Sequence, residues 1–281
     1  MNRAALQSIQ DKLFSGQPII MGVLNVTPDS FSEHGRYFDS DKAKKAGMQM
    51  MEDGADIIDI GGESTRPGAE PVSIEEELRR VLPAVEELSK HDIPVSIDTY
   101  HAKTMESALS AGACMINDVT ALSGDAQSLA VVAEHECLIC LMHMQGTPQN
   151  MQKQPFYEDV VEDIQSYLRQ RVQICADAGI DRKRLIIDPG IGFGKTLEHN
   201  LRLLNNLEEF CKEGLPVLLG ISRKSFIEKI CGPVPAEQRL PGTIAGNLWG
   251  LQKGVSLFRV HDVKEMKQAI DVWQAIDVIE K

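Results

Sequence analysis

Along the chain, short runs of apolar and β-branched residues alternate with longer segments whose apolar positions recur every three to four residues. The runs cover Ile19 to Asn25, Ile57 to Gly61, Val95 to Asp98, Met115 to Asp118, Leu138 to His143, Leu185 to Asp188, Val217 to Ser222 and Leu257 to His261. Between them, Lys42 to Met51, Ile74 to Leu88, Val160 to Ala176, Leu197 to Phe210 and Val263 to Ile276 carry helical periodicity. Nearly continuous apolar strands separated by amphipathic helices predict a parallel sheet covered by helices. Eight such units favour closure into a (β/α)8 TIM barrel over an open doubly wound sheet. A further helix over Asn2 to Phe14 precedes the first strand and is expected to cover the barrel's N-terminal end.

The length of 281 residues suits one barrel, and no Pro-, Gly- or Ser-rich linker divides it, so residues 1–281 are expected to form one domain. With 43% hydrophobic and 25% charged residues the composition is that of an ordinary globular chain. A formal charge of −12 argues against diffuse binding to nucleic acid or anionic membrane, so any anionic ligand needs a local basic pocket. No apolar stretch reaches bilayer length, and Arg3, Asp11 and Lys12 interrupt the amino-terminal pattern, so neither anchor nor signal peptide is expected. The six cysteines are scattered through apolar segments, which suits a reducing, cytoplasmic setting. Cys137 and Cys140 have redox or zinc spacing, but no second ligand pair lies nearby, and buried inert thiols are the expectation.

Polar groups collect at the carboxyl end of every apolar run: Asn25, the Gly61 to Arg66 segment, Asp98, Asn117 with Asp118, His143, Asp188, Ser222 to Ser225, and Arg259 with His261. Each alone is equally well a helix cap or turn former. In a barrel, however, these ends converge on one face. Asp98, Asn117 and Asp188 suit a flat heterocycle with adjacent N–H groups, while Arg66, Arg223, Lys224, Arg259 and His261 form a cationic set for an anion attached to it. The run Asp188 to Thr196 imitates a P-loop, but Pro189 stands where the first glycine belongs, and its glycine spacing is not that of a dinucleotide fingerprint.

The segments Asn25-Val-Thr-Pro-Asp-Ser-Phe-Ser32, Gly61-Gly-Glu-Ser-Thr-Arg-Pro-Gly68, Ser96-Ile-Asp-Thr99, Ile116-Asn-Asp118, Met142-His-Met144, Asp188-Pro-Gly-Ile-Gly-Phe-Gly194, Ser222-Arg-Lys-Ser225 and Arg259-Val-His-Asp262 resemble those of dihydropteroate synthases, in the same order. The resemblance implies condensation of 7,8-dihydropterin-6-ylmethyl pyrophosphate with p-aminobenzoate, giving dihydropteroate and pyrophosphate in folate biosynthesis. It implies that Asp98, Asn117, Met142, Asp188, Gly220, Lys224 and Arg259 hold the pterin, and that Asn25, Arg66, Arg259 and His261 meet the pyrophosphate, with Mg²⁺ on Asn25. For p-aminobenzoate it implies Phe31, Thr65, Pro67, Phe193 and Ser225, with Phe31 and Pro67 as the positions where a sulfonamide would be felt. Asp29, Asp98, Lys224, Arg259 and His261 are the implied catalytic set, and a homodimer is the implied assembly.

Two positions depart from that family's usual pattern. Glu33-His34-Gly35 replaces a more familiar Asp-Gly-Gly, and His101 stands where Lys is frequent; His34 and His101 are both expected to face solvent. His143 is expected at the pocket margin, with a backbone-satisfied core histidine as the alternative. A methyltetrahydrofolate:corrinoid methyltransferase is the closest rival enzyme, but its chemistry needs no pyrophosphate clamp. A catalytically silent pterin-binding protein is the rival from another class.

Overall fold

The computed structural model describes residues 3–26, 32–33, 37–38, 40–64, 68 and 71–279. Its main sheet holds eight strands in the order β8-β7-β6-β5-β4-β1-β10-β9. These are β1 (Ile19–Asn25), β4 (Ile57–Gly61), β5 (Val95–Asp98), β6 (Met115–Asp118), β7 (Leu138–Met142), β8 (Leu185–Asp188), β9 (Leu218–Leu219) and β10 (Leu257–Val260). All pair in parallel, and a bridge between Ile187 and Val217 joins the two ends of the sheet. The fold is a (β/α)8 barrel, as the apolar pattern predicts. The remaining strands, β2 (Ser32–Glu33) and β3 (Tyr37–Phe38), form a separate antiparallel pair.

Alternation along the strands sorts the side chains into two cores. Ile19, Met21, Ile57, Met115, Leu138, Ile186, Leu218 and Leu257 point inward and fill the lower barrel, where Ile9 and Leu13 of the Arg3–Phe14 helix close it from below. The same helix is held by Lys12 to Asp56 at 2.7 Å and by Gln10 to the Lys183 carbonyl at 2.7 Å. Ile20, Ile58, Ile60, Ile97, Ile116, Ile139 and Ile187 point outward and pack under the helical layer. Each such side chain, wholly withdrawn from water, contributes about 1.5–3 kcal/mol before the entropy of ordering it is subtracted.

Two elements are shorter than the sequence predicts. The seventh barrel strand is regular only at Leu218–Leu219, and the periodic segment Leu197 to Phe210 divides at Asn206 into the helices Leu197–Asn205 and Leu207–Cys211. The helix Leu240–Gln252 was hidden from periodicity by Pro241 and three glycines. Those glycines, four residues apart, face the barrel. A Cβ on Gly242 would lie 2.5 Å from Ile227, one on Gly246 2.6 Å from Ile221, and one on Gly250 2.6 Å from Leu219. Poor helix propensity is accepted there because only hydrogen fits between helix and sheet. Cys137 packs in the outer core and Cys140 in the barrel interior, so the pair with redox spacing sits on opposite faces of β7, buried and with thiol pKa values pushed up by burial.

Candidate active site

One level above the apolar floor, the inward positions become polar. Asp59 on β4, Ser96 and Asp98 on β5, Asn117 on β6, Asp188 on β8 and Arg259 on β10 occupy the upper barrel, because strand register places Asp59 beside Ser96 and Asp98 beside Asn117. The Arg259 guanidinium bridges two carboxylates: Nε donates to Asp59 Oδ2 at 2.6 Å and Nη2 to Asp98 Oδ2 at 2.8 Å. Asn117 Nδ2 donates to the same Asp59 oxygen at 3.2 Å. Among the described residues Asp59 Oδ1 has no hydrogen-bond partner, although the side chain is wholly buried.

These charges perturb one another strongly. Burial pushes the Asp98 carboxyl up to about 7, against the opposing pull of Arg259, and Asp59 adds to the rise. Asp188 is likewise raised by burial, with Lys224 as the main counterweight. Lys224 falls to about 8 because burial outweighs the attraction of Asp188. For Arg259 burial works downward, yet Asp59 and Asp98 outweigh it and hold the guanidinium charged. A carboxylate poised near neutrality beside cations is typical of functional clefts.

The rim is built by loops. After β8, Asp188 Oδ1 accepts the Gly190 N–H at 2.7 Å, and the chain turns sharply through Gly190, Gly192 and Gly194, all at positive φ. A Cβ on Gly190 would lie 1.9 Å from the His143 carbonyl oxygen, so a side chain is excluded there. Phe193, half-buried on this turn, lies beneath Lys224, whose Nζ is 4.4 Å from the ring centroid and donates to the Ile191 carbonyl. Ser225, exposed, opens the next helix, Ser225–Cys231. His261 Nδ1 and Ser222 Oγ are 2.9 Å apart, which places the imidazole at the same mouth. Asn25 ends β1 with its Oδ1 3.6 Å from where a Cβ on Gly61 would sit, and Met142 ends β7, buried and facing inward beside Asp188. Gly220 keeps the wall beside Arg259 low: a Cβ there would lie 3.9 Å from Arg259 Cβ.

The family model described as pterin binding enzyme matches residues 21–261. A dihydropteroate synthase of Haemophilus influenzae is 48% identical over 259 residues, covering 92% of this chain and 94% of that protein. The chain belongs to the dihydropteroate synthase family. Two solved dihydropteroate synthases from Xanthomonas albilineans superpose on it: one with 4-aminobenzoic acid at TM-score 0.86 and 45% identity, with 93% of each chain covered. The other, in complex with 7,8-dihydropteroate, gives a TM-score of 0.83 at 42% identity, covering 93% of this chain and 94% of that one.

Of the residues that the sequence assigns to the dihydropteroate synthase site, the structure brings together Asn25, Asp98, Asn117, Met142, Asp188, Phe193, Gly220, Lys224, Ser225, Arg259 and His261 at one end of the barrel. Asp29, Phe31, His34, Gly35, Thr65, Arg66 and Pro67 lie outside the described residues. Four expectations need correction. Arg223 is not a free pocket cation: its guanidinium forms a two-pronged ion pair with Asp262, at 2.5 and 3.0 Å, and the backbone at this residue is at φ +58°. Asp118 is a loop former, accepting from Thr120 N and Oγ1 and from Leu122 N. His101 does not face solvent but is half-buried, its Nδ1 2.9 Å from Glu77, which also accepts from Thr104. His143 is a core histidine rather than a margin residue. Strand alternation turns it outward from Met142, its ring packs edge-on against Tyr167 at 5.0 Å, and burial followed by Lys195 depresses its pKa to about 3.

Two residues escaped the sequence reading. Asp59 was passed over as part of an apolar strand, although a lone acid among Ile57, Ile58 and Ile60 is itself a signal of an inward charge. Lys195 stands in the sequence as part of the failed P-loop pattern, and in the fold it is 1% exposed.

Proposed function

We propose that this chain condenses 7,8-dihydropterin-6-ylmethyl pyrophosphate with p-aminobenzoate, releasing pyrophosphate and forming 7,8-dihydropteroate. The observation that carries this is the convergence of Asp98, Asn117 and Asp188 with Lys224 and Arg259 at one mouth, the Arg259 guanidinium set among the acceptors and Lys224 beside Asp188. The acceptors suit the N–H edge of a 2-amino-4-oxo pyrimidine ring, and a carboxylate takes two such donors at once. The flat guanidinium of Arg259 offers a face for the ring and N–H groups for the diphosphate.

The substitution is dissociative. As the C–O bond to pyrophosphate lengthens, positive charge spreads from the methylene into the pterin, so the site must stabilise a departing anion and a cation together. His261 and Arg259 serve the anion. Asp98, and Asp29 four residues beyond β1 in the sequence, serve the cation. The arylamine is already nucleophilic at neutral pH and needs no strong base. Phe193 offers a flat wall for its ring, and Ser225, with Thr65, Pro67 and Phe31, completes that subsite, which sulfonamides share.

Among the described residues no cluster of His, Cys, Asp or Glu could hold a metal ion. The neutral amide oxygen of Asn25, beside Gly61 and facing the pocket, fits Mg²⁺ that takes its other ligands from pyrophosphate and water. When bound there, the ion neutralises charge on the leaving group. No described helix is long and apolar enough to cross a membrane, and we place the enzyme in the cytoplasm. Exposed Leu201, Trp249, Val272 and Ile276 lie on helices that neighbour one another, which supports a homodimer through that side.

The test is direct. Purified protein with Mg²⁺ and both substrates releases pyrophosphate and accumulates dihydropteroate. A folded protein that binds pterin without turnover would establish the silent binder instead.

A further inference from the structure

Among the described residues Lys195 is one of the largest fully buried side chains, and its hydrogen-bond partners are two carbonyls and a histidine ring rather than a carboxylate. Its Nζ lies 2.9 Å from the Phe193 carbonyl, 3.3 Å from the His143 carbonyl and 3.1 Å from His143 Nδ1. Three acceptors thus face the three N–H groups of an ammonium. A buried lysine held this way is costly, because burial lowers its pKa well below the ordinary value, with the charge of Asp188 working in the other direction. Pure packing would be served better by an apolar, unbranched methionine.

What the ammonium secures is the Gly190–Gly194 turn. The three contacts span the turn's outer carbonyl at Phe193 and the end of β7 at His143, tying the loop to the barrel from underneath. The same turn also holds Lys224: Ile191 O anchors its ammonium, and the Phe193 ring lies against that lysine's Nζ. Tyr157 pins the turn's far end, its hydroxyl donating to the Gly194 carbonyl at 2.8 Å. With three glycines at positive φ, this loop has little stiffness of its own.

We propose that Lys195 is a positioning residue for the arylamine subsite, fixing the Gly190–Gly194 turn so that Phe193 stands at the right height against Lys224. The inference rests on the synthase reading above and extends it to a residue that touches neither substrate. Lys195 acts through Phe193, whereas the acids that grip the pterin are carried on strands. Its loss therefore falls on p-aminobenzoate first.

The experiment compares Lys195→Met and Tyr157→Phe with the wild type in steady-state kinetics, with calorimetric binding of 6-hydroxymethylpterin and thermal melting alongside. The expected result is a KM for p-aminobenzoate raised about ten-fold in Lys195→Met, and less in Tyr157→Phe, with kcat at saturation and pterin affinity nearly unchanged. A purely structural lysine would lower the melting temperature and leave the KM of the folded fraction where it was; that outcome overturns the proposal. Should Lys195→Met not fold, Tyr157→Phe decides, because an unchanged KM there means that the height of the turn does not matter. Wild-type protein without turnover sinks the synthase reading itself, whereas an active wild type with unaltered variants sinks only the role of Lys195.

Discussion

Arg259 and Asp59 stand 200 positions apart in the sequence, yet Nε of the one lies 2.6 Å from Oδ2 of the other at the floor of the pocket. The contact decides how Arg259 can act. With Nε fixed on Asp59, the far side of the guanidinium is aimed across the barrel at Asp98, where the pterin is proposed to lie.

Replacing Asp59 by Ala leaves a guanidinium without its main counter-charge in a poorly solvated site. Stability should fall by about 3–5 kcal/mol, as for other broken buried pairs. Urea unfolding measures this, and the double variant Asp59→Ala/Arg259→Met should recover most of the loss. Full additivity of the two single losses would show that the pair is not coupled.

The pH dependence of pterin binding follows from two opposed shifts. Asp98, raised to about 7, must lose its proton to accept ring N–H groups, so affinity climbs as pH rises towards that value. Lys224, lowered to about 8, loses its charge above it, so affinity declines on the alkaline side. Calorimetry from acid to alkaline buffer should trace a narrow bell. In Lys224→Arg the alkaline limb should vanish; a profile flat across neutrality would contradict the assignment. Stability runs differently. Since the folded pKa of Asp98 lies above its unfolded value, its contribution is greatest in acid and is lost as pH climbs from about 4 towards about 7.

Removing the acceptor or the cation that grips the ring should separate binding from folding. Asp188→Ala and Lys224→Ala are each expected to weaken pterin binding at least about 100-fold, the scale of a lost charged hydrogen bond. Circular dichroism should remain that of the native barrel. Unchanged affinity in both variants would mean that the pocket is misassigned.

Gly190→Ala tests the turn after β8. A methyl group there collides with the His143 carbonyl at 1.9 Å and must also adopt φ +67°. A loss of about 2 kcal/mol or more is expected in urea unfolding. The same change at Gly214, which has positive φ but open space around it, should cost less.

A chelator should stop turnover, and added Mg²⁺ should restore it. Asn25→Ala is expected to raise the Mg²⁺ concentration needed by about ten-fold. Turnover indifferent to chelation would remove the metal from the scheme.

Much of this architecture was legible in the one-dimensional pattern. Strand and helix periods are local consequences of backbone geometry, so eight apolar runs with polar ends gave both the barrel and the face on which Asp98, Asn117, Asp188, Lys224 and Arg259 meet. The Leu240–Gln252 helix was not legible, because its glycines answer to a sheet that lies behind them rather than to helix propensity.

What sequence could not decide is which polar residues face one another. Arg223 and Arg259 look alike in the chain, but one is neutralised by Asp262 at the rim and the other is stretched between Asp59 and Asp98 inside the barrel. Lys195 and Lys224 both follow the glycine-rich turn's chemistry, yet one is sealed under it and the other opens onto the pocket. Residue type and period are set within a few positions of the chain, and those the sequence carries by itself. Partnership between charges depends on distance and burial, and only the closed barrel brings segments 50 to 200 residues apart within reach of one another.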